Sequence, residues 1–337
     1  MYDYEQMFIR NSQLASAESR QHIQLTLRVA RMYYMHDMTQ AQIAASIGYS
    51  RPTVSRLLQE ARDEGIVHID IGHVLERVMT LENRLIDCFG LKYARVAPSF
   101  SDQTPSETVP EYAATLFSEK AQEDSLITVS NGRAVAATVR NIPIRNWPKA
   151  NVAQMVGALS PSNHMTDSPD ICHLLANRLN CTFTPLHAPM IMSAPSIAAA
   201  MRREPQIATS LALGGGADVA IEGVGAVINN HLSPVFDNYV DAPMIRRMRD
   251  LGAVGTVCGH FIDAQGNHVH TELCVRTISI DIERLKHIPL VIGVAWGKQK
   301  IEAIRACLVG GYLSALVTDQ STAELLLAKY QQPAPGR

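Results

Sequence analysis

The chain has 337 residues, 47% of them hydrophobic and 18% charged. This excludes a disordered or fibrous protein and leaves room for one small module beside a domain with a sizeable core. The formal net charge of −2 excludes a protein that coats nucleic acid indiscriminately, though not a small DNA-binding head on a near-neutral body. Six cysteines, Cys88, Cys172, Cys181, Cys258, Cys274 and Cys307, are scattered with no CxxC pair and read as buried thiols of a reducing compartment. With no secretory leader pattern and no bilayer-length apolar run, a cytoplasmic protein without a membrane partner is expected.

Residues 1–20 are polar and weakly patterned and read as a flexible arm. Ile23, Leu27, Ala30 and Tyr34 recur at helical spacing and predict a supporting helix, with Tyr33 and Tyr34 in the core or against backbone rather than stacked on bases. The stretch Met38–Ile71 then reads as two short helices, a tight turn between them, and a strand over 66–71. Thr39 is an N-cap, and Ile43, Ala44 and Ile47 face inward. Gly48 supplies the left-handed exit that ends the first helix. Ser50 caps the second, Pro52 sits in its first turn, and Gly65 stops it. Val54, Leu57, Leu58 and Ala61 share its inner face, which leaves Arg51, Thr53, Ser55, Arg56 and Gln59 outward or edgewise.

That outer face is short, polar and donor-rich, as the DNA major groove requires of a helix that reads base edges. A plain helical hairpin with a solvated face is the competing reading. The position of the turn and the arginine- and hydroxyl-rich face favour DNA. No lysine occurs before Lys92, so arginine, whose planar fork suits phosphate and guanine, supplies the positive charge of this region.

Val74, Val78, Leu81 and Leu85 form a short heptad-like seam. Pairing with a twin chain is favoured over packing on its own domain, because a major-groove reader usually needs two half-sites. From residue 93 onward, strand-like runs at 93–98, 125–130, 151–159, 181–187, 217–227, 276–280, 290–296 and 315–319 alternate with helical ones. The helices fall at 108–121, 133–141, 170–180, 196–212, 242–251, 299–309 and 321–330. Alternation of this kind predicts a largely parallel sheet with helices on both faces. The run 254–270 differs and predicts a hairpin at the sheet edge, turning at Gln265-Gly266-Asn267. The domain boundaries expected are 1–20, 21–72, 73–90, 91–331 and a disordered tail at 332–337.

In open α/β sheets ligands bind beyond the carboxyl ends of strands, at helix starts. Three strand–glycine junctions qualify: Ser130-Asn131-Gly132-Arg133, Glu222-Gly223-Val224-Gly225, and Trp296-Gly297-Lys298-Gln299-Lys300. Gly214-Gly215-Gly216 precedes a strand and is no dinucleotide fingerprint. His268 and His270 would share a strand face, but without a third ligand nearby no metal site is expected. No GxSxG, HExxH or Walker sequence occurs, so no catalytic residue and no cofactor are expected.

With these residues in view the chain resembles the SorC family of bacterial transcriptional regulators over about residues 25–330. The head matches in MTQAQIAASIGYSRPTVSRLLQEARDEGIV. The body matches, in order, in ADVAIEGVGA, LGAVGTVCGHFIDAQGN and IPLVIGVAWGKQKIEAIRACLVGGYLSALVTDQSTAELLL. The resemblance implies a winged helix-turn-helix head and a Rossmann-like α/β effector domain akin to sugar-phosphate isomerases and deaminases, used for binding. It also implies dimers that pair into tetramers on operator DNA, and sugar, polyol or sugar-phosphate effectors. By the same resemblance Ser130 to Arg133 and Gly297 to Lys300 line the polar end of the effector, and Asp218, Glu222 and Asp263 are candidates for hydroxyl contacts. The chain departs from the family's Ser-Trp-Gly-Arg-Thr at Ser130-Asn131-Gly132-Arg133-Ala134, and it has Trp296-Gly297 where Gly-Gly is common. An unphosphorylated polyol or sugar therefore stands beside a phosphate as the expected ligand. On DNA, phosphate contacts are expected from Thr39, Gln40 and Arg56, and base contacts from Arg51, Thr53 and Ser55, with Ser50 at the helix start. A working isomerase or deaminase with a nucleic-acid-binding head is the alternative, with Glu222, Asp263 and His260 as its possible acid/base groups.

Overall fold

In the computed structural model, which describes residues 17–67, 74–99, 103–159, 166–228, 232, 236 and 239–330, the chain divides into two compact units, Met1–Gly72 and His73–Arg337. Among its described residues the first holds three helices: α1 (Ala17–Tyr34), α2 (Gln40–Ile47) and α3 (Arg51–Asp63). Thr39 caps α2 through a reciprocal capping box with Gln42, and Gly48 closes it in the left-handed region at φ 74°. Ser50 accepts the Thr53 amide at the start of α3. Val29, Ile43, Ala44, Val54, Leu57 and Leu58 form the small core. The buried stripe of α1 is the expected one only at its C-terminal end, where Ala30 is buried and Tyr34 packs on the core. Its other two members, Ile23 and Leu27, are exposed, whereas Thr26 and Val29 are buried. The helix carries two apolar stripes, and packing on α2 and α3 selects the one through Val29. Val67 turns its amide back to the Ala61 carbonyl instead of entering a strand. The rest of the strand expected at 66–71, the arm to residue 16 and the tail from 331 lie outside the described residues.

The second unit opens with α4 (Val74–Phe89) and strand β1 (Tyr93–Ala97). The seam on α4 is not free to pair with a twin chain. Val78, Leu81 and Leu85 are buried in their own domain's core, and Arg77 reaches Glu324 at 2.7 Å.

The chain continues through α5 (Pro105–Lys120), β2 (Leu126–Val129), α6 (Arg133–Asn141), β3 (Asn151–Gln154), α7 (Ser168–Leu179), β4 (Thr182–Thr184), α8 (Pro195–Met201) and α9 (Pro205–Gly215). The predicted helix 196–212 breaks between the last two because Glu204, ahead of Pro205, is extended. Next come β5 (Val219–Gly223), β6 (Gly225–Ala226), α10 (Ala242–Asp250), β7 (Ala253–Val257), β8 (His260–Asp263) and β9 (His268–Val269). The chain ends with α11 (Ile282–Leu285), β10 (Leu290–Val294), α12 (Ile301–Val309), β11 (Ala315–Asp319) and α13 (Gln320–Tyr330).

Seven strands form one parallel sheet in the order β1-β11-β10-β5-β2-β3-β4. Alternate residues feed two cores. Ala94, Val96, Ala220, Val291 and Leu316 face one, and Val219, Ile221, Ile292, Val294 and Val317 the other. A sheet covered on both faces explains why its strands read as continuous apolar runs. From β2 the chain winds outward to β4, then returns to β5 and winds the other way, so the winding reverses between β5 and β2.

The run 254–270 does not lie on the edge of this sheet. It turns twice, at Cys258-Gly259 between β7 and β8 and at the expected Gln265-Gly266-Asn267 between β8 and β9, and with β6 makes a separate antiparallel sheet. A Cβ on Gly255 would stand 2.7 Å from the Ala303 Cβ, so a small residue there lets this sheet lie close on α12. The predicted strand 276–280 is not one either. Arg276 and Ile278 bond residues 190 and 192, whereas Ile278 and Ile280 also bond residues 155 and 157, so no continuous ladder forms.

Candidate functional site

In the first unit α2 and α3 are set by caps at each end of the turn between them, and α3 presents Arg51, Ser55, Arg56 and Gln59 to solvent. The hydroxyls of Ser50 and Thr53 lie 2.8 Å apart, and Ser50 also accepts the Thr53 amide, so both serve the helix start. Thr39 is likewise engaged with Gln42, while Gln40 opens α2 beside it. Arg56 Nε lies 3.6 Å from Glu60, whose other oxygen is 3.0 Å from His22 Nε2. This chain of contacts lays Arg56 along the helix while two thirds of it remains exposed. Tyr49, which the sequence analysis passed over, stands half-exposed in the turn. Its signal was a large aromatic between a glycine exit and a serine cap.

In the second unit the three glycine junctions follow β2, β5 and β10, which are neighbours in the sheet, and two of them flank the point where the winding reverses. Ser130 is buried; its amide donates to the Ile221 carbonyl at 3.1 Å, and its hydroxyl accepts the Gly223 amide at 3.4 Å. Asn131 Nδ2 donates to the Met190 sulfur at 3.4 Å. Gly132 has φ 108° and Gly297 φ 102°, a region that side-chain-bearing residues rarely adopt, and space is open where a Cβ would stand on either. Arg133 is exposed at the start of α6, whose first amides have no intrahelical acceptor.

Glu222 is buried at the end of β5. One oxygen accepts the Cys258 amide at 3.1 Å, and Oε2 has no partner. Burial pushes its carboxyl up to about 8, against the lowering effect of the Cys258 and Gly223 amides and the Ser130 hydroxyl. Lys300 donates to the Val224 carbonyl at 2.8 Å. Burial lowers the pKa of its ammonium, and the nearby Arg133 charge lowers it further. Among the described residues neither cation has a carboxylate within ion-pair reach. Two cations and an orphaned carboxyl oxygen can hold a ligand with an anionic end and hydroxyls.

Other expected residues fall elsewhere or are already engaged. Asp218 stands at the opposite end of β5 from Gly223, roughly 16 Å away along the strand, where it accepts the Leu126 amide at 2.8 Å and lines a cleft with Lys92 and Lys120. The Asp263 carboxylate is consumed by its own turn, taking the amides of Gln265 and Asn267 and the Asn267 side chain. Ala264, next to it, meets Arg305 on the second turn of α12, beyond the Gly297 end. The Gly297 amide is given to Thr322, which is held by Asp319. Trp296 packs against the core under β10, and Lys298 is exposed on the turn before α12. Gly225 lies in β6, paired with Thr256. No helix is long and apolar enough to cross a membrane, among the described residues.

The Sugar-bind family, a sugar-binding domain, matches residues 73–328, and a Crp-like helix-turn-helix domain matches residues 20–84. The chain is 31% identical to the sorbitol operon regulator of Klebsiella pneumoniae over 92% of this chain and 99% of that protein. It is 29% identical to the deoxyribonucleoside regulator of Bacillus subtilis over 91% and 98%. The crystal structure of the full-length sorbitol operon regulator SorC from Klebsiella pneumoniae superposes with a TM-score of 0.72 at 30% identity, over 90% of this chain and 99% of that one. These relatives are regulators, which sets aside the isomerase or deaminase reading. With its helix-turn-helix head and its α/β sugar-binding body, the chain belongs to the SorC family of transcriptional regulators.

Proposed function

We propose that this protein regulates a carbohydrate or polyol catabolic operon, with α3 in the major groove of operator DNA and a phosphorylated sugar or polyol as the effector. The observation that carries the effector class is that Arg133 and Lys300, close enough for their charges to act on each other and without acid partners, follow strands β2 and β10, which flank the strand β5 that ends in Glu222 with its unpartnered Oε2. The cations and the first amides of α6 take the phosphate, and Glu222, Ser130 and Asn131 take hydroxyls. Glu222 contributes as a neutral acid that donates from Oε2. On the DNA side Arg51 and Ser55 read base edges and Arg56 and Gln40 hold phosphates. The protein acts in the cytoplasm as a dimer or tetramer. The effector changes the affinity of the paired heads for their two half-sites, by its differential affinity for the two arrangements.

The test is a thermal-shift screen of the purified protein against sugars, polyols and their phosphates, since a ligand that binds only the folded state raises the melting point with occupancy. Ligands found this way are then added to gel shifts on the protein's own promoter. A rise with phosphorylated compounds, lost in Arg133→Ala and Lys300→Ala, supports the reading. A rise confined to unphosphorylated compounds overturns the effector class, and failure to bind the promoter under any condition overturns the regulator itself.

A further inference from the structure

His260, His268 and Cys274 come from three separate places in the sequence and meet on the small antiparallel sheet. One ring nitrogen of each histidine and the Cys274 sulfur lie within 4.8 Å of one another. His260 stands on β8, and His268 on β9, where it pairs with Ile262. Cys274 opens the single turn of 3-10 helix, Cys274–Arg276, that follows β9. The strand register puts His260, Ile262, His268 and His270 on one face, and the rings of His268 and His270 are 4.4 Å apart.

The ring nitrogens are not engaged as in a satisfied core cluster. His260 is 7% exposed, its Nε2 lies 2.9 Å from Ser279 Oγ, and its Nδ1 is buried without a partner. His268 Nε2 is also buried without a partner. Two ring nitrogens buried without a partner are costly. Cys274 Sγ accepts from the Thr271 hydroxyl at 3.2 Å and donates to the Val269 carbonyl at 3.5 Å, and a bound metal takes it as the thiolate, releasing that proton.

We propose that these three residues bind a transition-metal ion of the zinc class, through His260 Nδ1, His268 Nε2 and Cys274 Sγ, with a fourth position open to His270 or water. Two imidazoles and a thiolate are a zinc donor set, and tetrahedral ligation at about 2.0–2.3 Å brings ligand atoms to about 3.5 Å of each other. That needs a shift of about an ångström from the present spacing. Ser279 holds the His260 ring from its far nitrogen, as outer partners of metal-bound histidines do. The ion would tie β8 and β9 to the turn Cys274–Arg276, which leads into the segment 277–280 that laces residues 190–192 to 155–157.

The test uses full-length protein freed of metal with a chelator and titrated with Co2+, then Zn2+. The expected result is one Co2+ per chain with a thiolate-to-metal charge-transfer band and intense visible bands, both bleached by Zn2+, and a Zn2+-dependent rise in melting temperature. Cys274→Ser and His268→Ala abolish the charge-transfer band. Ser279→Ala weakens binding about ten- to a hundredfold. Cys181→Ala, which removes a half-exposed thiol outside the cluster, changes nothing. Circular dichroism checks that each variant is folded. No charge-transfer band in the wild type, or a band that survives in folded Cys274→Ser, overturns the proposal. Neither outcome bears on effector or DNA binding.

Discussion

Replacing Glu222 by glutamine removes a titrating group from the interior while keeping an acceptor for the Cys258 amide. In the folded chain the Glu222 carboxyl is raised from 4.5 to about 8, chiefly by burial. Between those values the folded state keeps a proton that the unfolded state has released, so stability falls as pH rises. Each pH unit corresponds to about 1.4 kcal/mol, and the loss accumulated by pH 7 is about 3 kcal/mol. It levels off above about pH 8. Both tryptophans, Trp147 and Trp296, lie in the α/β unit, so their fluorescence during urea unfolding reports that unit. In the absence of effector, Glu222→Gln gains stability over the wild type progressively from pH 5 to pH 8, and other titrating groups cancel in the difference. A difference that stays constant over this range, or shrinks with rising pH, would refute the burial argument and with it the neutral donor at the effector site.

Arg51→Ala should cost about 1–3 kcal/mol of operator affinity and relax base preference at one position, whereas Arg56→Ala should weaken all sequences alike and lower the salt slope by about 1. Gel shifts on matched and mismatched sites separate the two, and equal behaviour contradicts the assignment. Leu85→Ala should destabilise the α/β unit by about 2–5 kcal/mol, because Leu85 is fully buried in its own domain. Sedimentation showing loss of the oligomer with unchanged stability would return the seam to a pairing role. Gly132→Ala should cost about 1–3 kcal/mol and weaken the effector, since φ 108° strains any side chain even though space is open there. A thermal melt indistinguishable from the wild type would show the loop to be free to relax.

What could be read directly from the residues was local. Thr39, Gly48, Ser50 and Pro52 mark helix ends by chemistry that acts within one turn, so α2 and α3 were legible before any packing was known. Apolar runs alternating with helical ones reported a parallel sheet because both of its faces are covered. Glycines after β2, β5 and β10 pointed to the ends of those strands for the same local reason. Tertiary structure decided which strands are neighbours. It placed the Ser130 and Glu222 junctions at the reversal of winding, sent Asp218 to the far end of its strand, and spent Asp263 on its own turn. It turned the α4 seam onto its own sheet and brought His260 and Cys274 to His268. The strand order and the packing of the α4 seam depend on segments far apart in the chain, and the 260–274 cluster on the register of a hairpin, neither of which a propensity or spacing within a short window carries.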